Sequence, residues 1–158
     1  MNIKTLKLFK YGDDDNWRQV SSISWHPDGP HKIAVSYAKL NFDSLRENYS
    51  YSSYIWDINN SNIPCNIINP KSPITKLSYN HKNVDQIAFG CYSGVVGIWD
   101  IWVQGNQPSL VSDIDISHHE PITDLLWLSS KAGNEFITTS TDGTVKWWDF
   151  RNINEVTD

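Results

Sequence analysis

The sequence predicts an all-β fold in which short antiparallel sheets of four strands repeat along the chain, and three observations carry that expectation. Residues 136–150, FITTSTDGTVKWWDF, read as two short strands joined at Asp142-Gly143, because β-branched and aromatic runs flank a strong turn dipeptide. The stretch ends in Trp148-Asp149, and the same pair recurs as Trp56-Asp57 and Trp99-Asp100, so that the pairs stand 43 and 49 residues apart. Self-similarity at such a period marks a repeat architecture. No stretch sustains a helical period, and eight Trp, seven Tyr and five Phe among 158 residues favour packed β structure. Sheets of this size stacked radially make a β-propeller, here a partial one of about three blades.

The elements follow in order. Residues 3–9 alternate imperfectly between apolar and polar and end in a turn at Gly12, which suggests a lone strand. A first blade spans 20–69: strands 20–26 (VSSISWH), 32–37 (KIAVSY), 53–58 (SYIWDI) and 64–69, with a turn at Pro27-Asp28-Gly29 and a polar, aromatic-bearing loop at 38–51. A second blade spans 74–116: strands 74–79, 86–92, 95–101 and 110–116, with turns at 80–83 and at Ser93-Gly94. A third, at 122–150, supplies strands 122–128, 135–140 and 144–150 and stops without a fourth. Strands such as GIWDI and VKWWDF are apolar on both faces, as expected where neighbouring blades cover each sheet on both sides.

Composition narrows the function classes. With 39% apolar and 20% charged residues the chain can bury a core. The net charge of −5 and the lack of a basic patch argue against nucleic acid and membrane surfaces as partners. Asp13-Asp14-Asp15 reads as a solvated turn. Cys65 and Cys91 show no metal or redox spacing, so a reduced intracellular protein is expected, and the sequons at Asn48 and Asn59 carry no weight. The first residues are too short and too charged for a secretory signal or a membrane span.

Candidate chemistry reads more simply as structure. Ser24, His26 and Asp28 are triad residue types, but they crowd into one strand and turn, whereas triads assemble from distant segments. Adjacent His118 and His119 point apart on an extended chain, with no second cluster to complete a metal site. Gly90, Gly94 and Gly97 lack the lysine and spacing of a phosphate loop and read as hairpin glycines. No catalytic residue, metal, cofactor or small-molecule substrate is therefore expected. The loop at 38–51 is a candidate partner-binding element, because it places Phe42, Arg46, Tyr49 and Tyr51 together and such residues are enriched at binding hot spots. Folding back over the blade edge is its alternative role.

The repeats resemble the WD-repeat β-propellers. In that family a Trp-Asp pair ends the third strand, an Asp lies six residues before the Trp in the tight turn, and a His precedes the first strand of the blade. Asp142 stands six before Trp148, Ser140 two before Asp142, and His118 four before Ile122. The resemblance thus implies a hydrogen-bonded tetrad of His118, Ser140, Asp142 and Trp148 that locks the blade. The second repeat has Ser93 and Pro70 at the Asp and His positions, and the first has the long loop in place of the tight turn. The phrases SWHPDGPHKIAVSY, SSYIWDINN, FGCYSGVVGIWDI and ITTSTDGTVKWWD, with the insertion between Ser36 and Tyr54, resemble the axonemal dynein intermediate chains of the outer-arm type. The likeness runs from Leu6 to Asn152. In that family a long N-terminal region precedes the propeller and further repeats follow it.

The resemblance implies a non-catalytic interaction scaffold that binds dynein heavy chain, a second intermediate chain and light chains. Its microtubule association would be indirect, and its place the cytoplasm, the cytoskeleton and the axoneme of cilia and flagella. A WD-repeat adaptor in an unrelated complex is the alternative. Propellers close with about four to eight blades, so three repeats form an open arc. That arc is expected to be part of a longer protein rather than half of a self-completing dimer.

Overall fold

A computed structural model of the chain describes residues 4–10, 18–39, 50–103 and 107–153. The described residues form three antiparallel sheets and one short 3-10 turn at Phe150–Asn152. The first sheet orders β1 (Gln19–Trp25), β2 (Lys32–Ala38), β3 (Ser53–Asp57) and β4 (Asn66–Ile68) as they occur in sequence. The second does the same with β5 (Ile74–Tyr79), β6 (Gln86–Cys91), β7 (Val96–Asp100) and β8 (Leu110–Val111). The third has β9 (Ile122–Trp127), β10 (Glu135–Ser140) and β11 (Val145–Asp149). This is an all-β, partial β-propeller.

Turn chemistry explains why the strands reverse where they do. Gly94 and Gly143 occupy the hairpin turns of the second and third sheets with φ of +83° and +80°, a backbone that L side chains rarely adopt. Gly90 and Gly97 lie instead within the flanking strands β6 and β7.

The core lies between sheets rather than within them. Ala34, Ile55 and Ile68 of the first sheet pack with Ile74, Leu77, Phe89 and Trp99 of the second. Ala88, Val96 and Ile98 of the second pack with Ile122, Leu125, Phe136 and Trp148 of the third. Polar ties join the first strands of successive sheets. The Leu77 and Tyr79 N–H groups on β5 donate to the hydroxyls of Ser22 and Ser24 on β1 at 3.3 and 3.1 Å. The Trp127 indole donates to the Ser78 carbonyl at 3.0 Å, and Lys76 pairs with Asp124 at 3.0 Å. Ser24 thus serves an inter-sheet bond, while His26 Nδ1 accepts from the Asp28 N–H at 3.3 Å within its turn.

Two expected strands come out differently. Residues 4–10, most of the expected lone strand 3–9, pair with none of the sheets; Phe9 packs on Trp56 with ring centroids 5.5 Å apart, and the Lys7 ammonium donates to the Ile58 carbonyl. A strand exists only with a neighbour to pair with, and this segment meets the face of the first sheet instead of an edge. The expected strand 110–116 ends at Val111: Ser112 makes a last bond to the Val96 carbonyl at 2.9 Å, and residues 113–117 then turn away, with the Ser117 N–H donating to the Asp113 carbonyl at 3.1 Å. Among the described residues no helix is long and apolar enough to cross a membrane.

Candidate functional site

The three Trp-Asp pairs share one local design. Trp56, Trp99 and Trp148 stand last but one in the third strand of their sheets, at 0, 3 and 6% exposure. Their Asp neighbours end the strand by accepting from the N–H two residues on: Asp57 from Asn59 at 2.8 Å, Asp100 from Trp102 at 2.9 Å, Asp149 from Arg151 at 3.0 Å. This is the Asx turn that a short carboxylate favours. The register places these tryptophans alike, opposite Ile33, Ile87 and Phe136. It likewise matches Tyr37, Cys91 and Ser140, each opposite the start of the sheet's first strand at Val20, Ile74 and Ile122. Each sheet therefore has the same corner, between the second-to-third-strand turn and the entry to the first strand. The three corners differ in what they hold.

In the third sheet the corner holds a relay of hydrogen bonds. The Trp148 indole N–H donates to the Thr138 hydroxyl at 2.8 Å, and Thr138 Oγ1 lies 2.8 Å from His118 Nε2. His118 Nδ1 lies 3.1 Å from Asp142 Oδ2 and 2.9 Å from Thr144 Oγ1. The donors run in one direction, from indole to hydroxyl to imidazole to carboxylate, if Nδ1 carries the proton of a neutral ring. Burial lowers the His118 pKa, against the opposing pull of Asp142. Asp142 is held well below the usual carboxylate range, first by the Thr144 hydroxyl bond and then by the Thr144 and His119 N–H groups. His118, Asp142 and Trp148 thus meet, but the hydroxyl between them belongs to Thr138. Ser140 instead donates to the Glu120 carbonyl at 2.9 Å and accepts from the Asp142 N–H at 3.3 Å. The reason is reach: Thr138 and Ser140 lie on the same face two residues apart, and Thr138 stands two residues from Phe136, the cross-strand partner of Trp148, whereas Ser140 stands four away.

In the first sheet the corner holds Arg18. Its guanidinium lies over the rings of Tyr37 and Tyr54, 5.3 and 5.6 Å from their centroids, and donates to the Tyr54 hydroxyl and to the Ser50 and Ser52 carbonyls. That clamp holds the C-terminal root of the 38–51 loop. Of the candidate partner-binding residues, Phe42, Arg46 and Tyr49 lie outside the described residues, and Tyr51 is 38% exposed.

In the second sheet the corner is open. Pro70, Phe89, Cys91, Ser93 and Val95 stand where the third sheet has His118, Thr138, Ser140, Asp142 and Thr144, and all five line a cavity of about 550 Å³. Burial pushes the Cys91 thiol up to about 12, so it is not a nucleophile. Nothing in the sequence reading singled out this cavity. The signal was there in the loss of the His and Asp positions from the second repeat, which removes the groups that would fill the corner. Among the described residues no group of three His, Cys, Asp or Glu side chains could hold a metal ion.

The WD40 family, described as "WD domain, G-beta repeat", matches residues 109–149. The chain is 42% identical over 155 residues to "Dynein intermediate chain 3, ciliary" of Heliocidaris crassispina, covering 98% of this chain and 26% of that protein. It is 40% identical over 152 residues to "Dynein axonemal intermediate chain 2" of Mus musculus, covering 96% of this chain and 24% of that protein. Over 156 residues it is 42% identical to "Dynein, 70 kDa intermediate chain, flagellar outer arm" of Chlamydomonas reinhardtii, covering 98% of this chain and 27% of that protein. The chain thus spans about a quarter of the length of the curated relatives it matches.

Proposed function

The chain is a WD-repeat segment similar to the axonemal dynein intermediate chains, and from that premise we propose that it is a non-catalytic scaffold within a ciliary or flagellar dynein. Its sheets would help to hold the dynein heavy chain beside a second intermediate chain and light chains, with microtubules reached through the assembly rather than by this chain. The observation that carries the reading is the identity of 40–42% across nearly the whole chain to dynein intermediate chains of Heliocidaris crassispina, Mus musculus and Chlamydomonas reinhardtii. The architecture supports it in a general way. The three sheets share cores with their neighbours, and their turns and loops differ from sheet to sheet, as suits a framework that presents several surfaces. The bonds of the His118 corner would serve as a blade lock, and the 38–51 loop as one contact surface.

The test is an antibody raised against this chain, applied to a salt extract of axonemes from its source organism. Co-precipitation of dynein heavy chain and a second intermediate chain is the expected result. Recovery of a different complex with no dynein subunit would assign the chain to an unrelated WD-repeat adaptor instead.

A further inference from the structure

We propose that the open corner of the second sheet is a receptor for one bulky apolar side chain, leucine- or tryptophan-sized, presented by an extended segment of a partner protein. The inference does not depend on which assembly the chain serves. Its starting point is the comparison between corners of the same fold. Where His118, Thr138, Asp142 and Thr144 satisfy one another and fill the third corner, the equivalent Pro70, Phe89, Ser93 and Val95 leave a cavity of about 550 Å³. That volume lies in the range that admits a ligand, roughly 300–1,000 Å³. Phe89 and Cys91 are buried in it, at 2 and 3% exposure, so its depth is apolar and its buried thiol is un-ionised near neutral pH.

The surroundings favour a peptide over a free small molecule. The cavity opens beside β8, the outer strand of its sheet, whose far edge pairs with no described strand. Val111 and Ile114 in its lining are 41 and 69% exposed, apolar surface at the opening. An extended segment can lie along such an edge while one side chain enters the hole, the usual division between main-chain affinity and side-chain specificity. Lys71 at the lining supplies a positive charge, so an acidic residue beside the inserted side chain meets a complementary group.

The experiment is an NMR titration of the isotope-labelled chain with blocked hexapeptides Ser-Glu-Thr-Xaa-Thr-Ser, in which Xaa is Leu, Trp or Ala, and with blocked leucine and tryptophan amides alone. The expected result is that the Leu or Trp peptide binds at least about tenfold more tightly than the Ala peptide and than either amide. The amide shifts should centre on Cys91, Ser93, Val95 and Val111. Ser93→Trp, which fills the opening, and Val111→Arg, on an already exposed strand, should each abolish that preference while the spectrum of the third sheet stays unchanged. Equal binding of the Leu, Trp and Ala peptides, or shifts centred on Leu126 and Trp147, would overturn the proposal. Amides that bind as tightly as the peptides would overturn its peptide occupant and leave a small-molecule cavity.

Discussion

Thr138 is fully buried and stands between two buried nitrogens, so its removal strands both. Thr138→Val keeps the shape and deletes the oxygen, and should cost about 2–4 kcal/mol, since each unsatisfied buried group costs about 1–3 kcal/mol. Ser140→Ala, which loses one bond to a carbonyl and one from a turn N–H, should cost about 1 kcal/mol. Urea denaturation of the two variants separates the roles, and an equal cost would deny the relay. The same corner sets a pH dependence. Burial lowers the His118 pKa, so the unfolded chain binds the proton more readily, and stability is full above the ordinary histidine value near 6.5 and declines as pH falls below it. His26, lowered first by burial and then by His31, acts in the same direction. Asp142, held low, adds stability above the ordinary carboxylate value near 4 that is lost only at much lower pH. Denaturation midpoints should therefore drop from pH 7 to pH 5, and His118→Gln should flatten that drop. An unchanged slope in the variant would remove His118 from the account. Spacing alone could point to His118, Asp142 and Trp148, but it could not choose between two hydroxyls on one strand face. That choice belongs to cross-strand register, which a one-dimensional pattern does not contain.

At the scale of elements, Gly94 and Gly143 look alike in sequence and in φ, yet they do different work. A Cβ on Gly143 would meet nothing within 4 Å, so Gly143→Ala should cost only the left-handed strain, about 1–2 kcal/mol. A Cβ on Gly94 would stand 2.0 Å from the His118 carbonyl oxygen, where the turn of the second sheet meets the entry to the third, and His118 N–H already bonds the Gly94 carbonyl at 3.2 Å. Gly94→Ala should therefore cost about 3 kcal/mol or more, because backbone cannot yield as a side chain can. Thermal unfolding of the two variants checks the ranking, and equal losses would mean that the sheets accommodate the added methyl by shifting apart. The strands themselves were largely legible, since Ile74–Tyr79 and Glu135–Ser140 follow directly from β-branched runs bounded by turn residues. The short β8 and the unpaired segment at 4–10 were not. Both have strand-like composition, and whether such a segment pairs depends on which edge lies near it in space.

For the whole molecule, the decisive fact is that the two larger apolar clusters are each shared between neighbouring sheets, so among the described residues the sheets at the two ends of the arc each keep one face with no sheet packed on it. The first sheet covers its face in part with its own chain: Phe9 on Trp56, and Arg18 over Tyr37 and Tyr54. Val20, Ile23 and Trp25 on β1 still stand 51, 57 and 54% exposed. The third sheet leaves a row across its strands, with Leu126 and Trp147 both opposite Ile137, and Val145 beside them; the three are 56, 64 and 66% exposed. Contiguous apolar surface of this kind drives association in water. The isolated chain should accordingly gain mass with concentration in light scattering. The pair Leu126→Lys and Val145→Lys should lower that mass towards the monomer, with a change in stability within about 1 kcal/mol, as expected of exposed sites. Ile122→Lys should unfold the chain instead, because Ile122 lies between the second and third sheets at 2% exposure. A mass that stays monomeric before any substitution would mean that the exposed row is too broken by Thr139 and Asp124 to act as one surface.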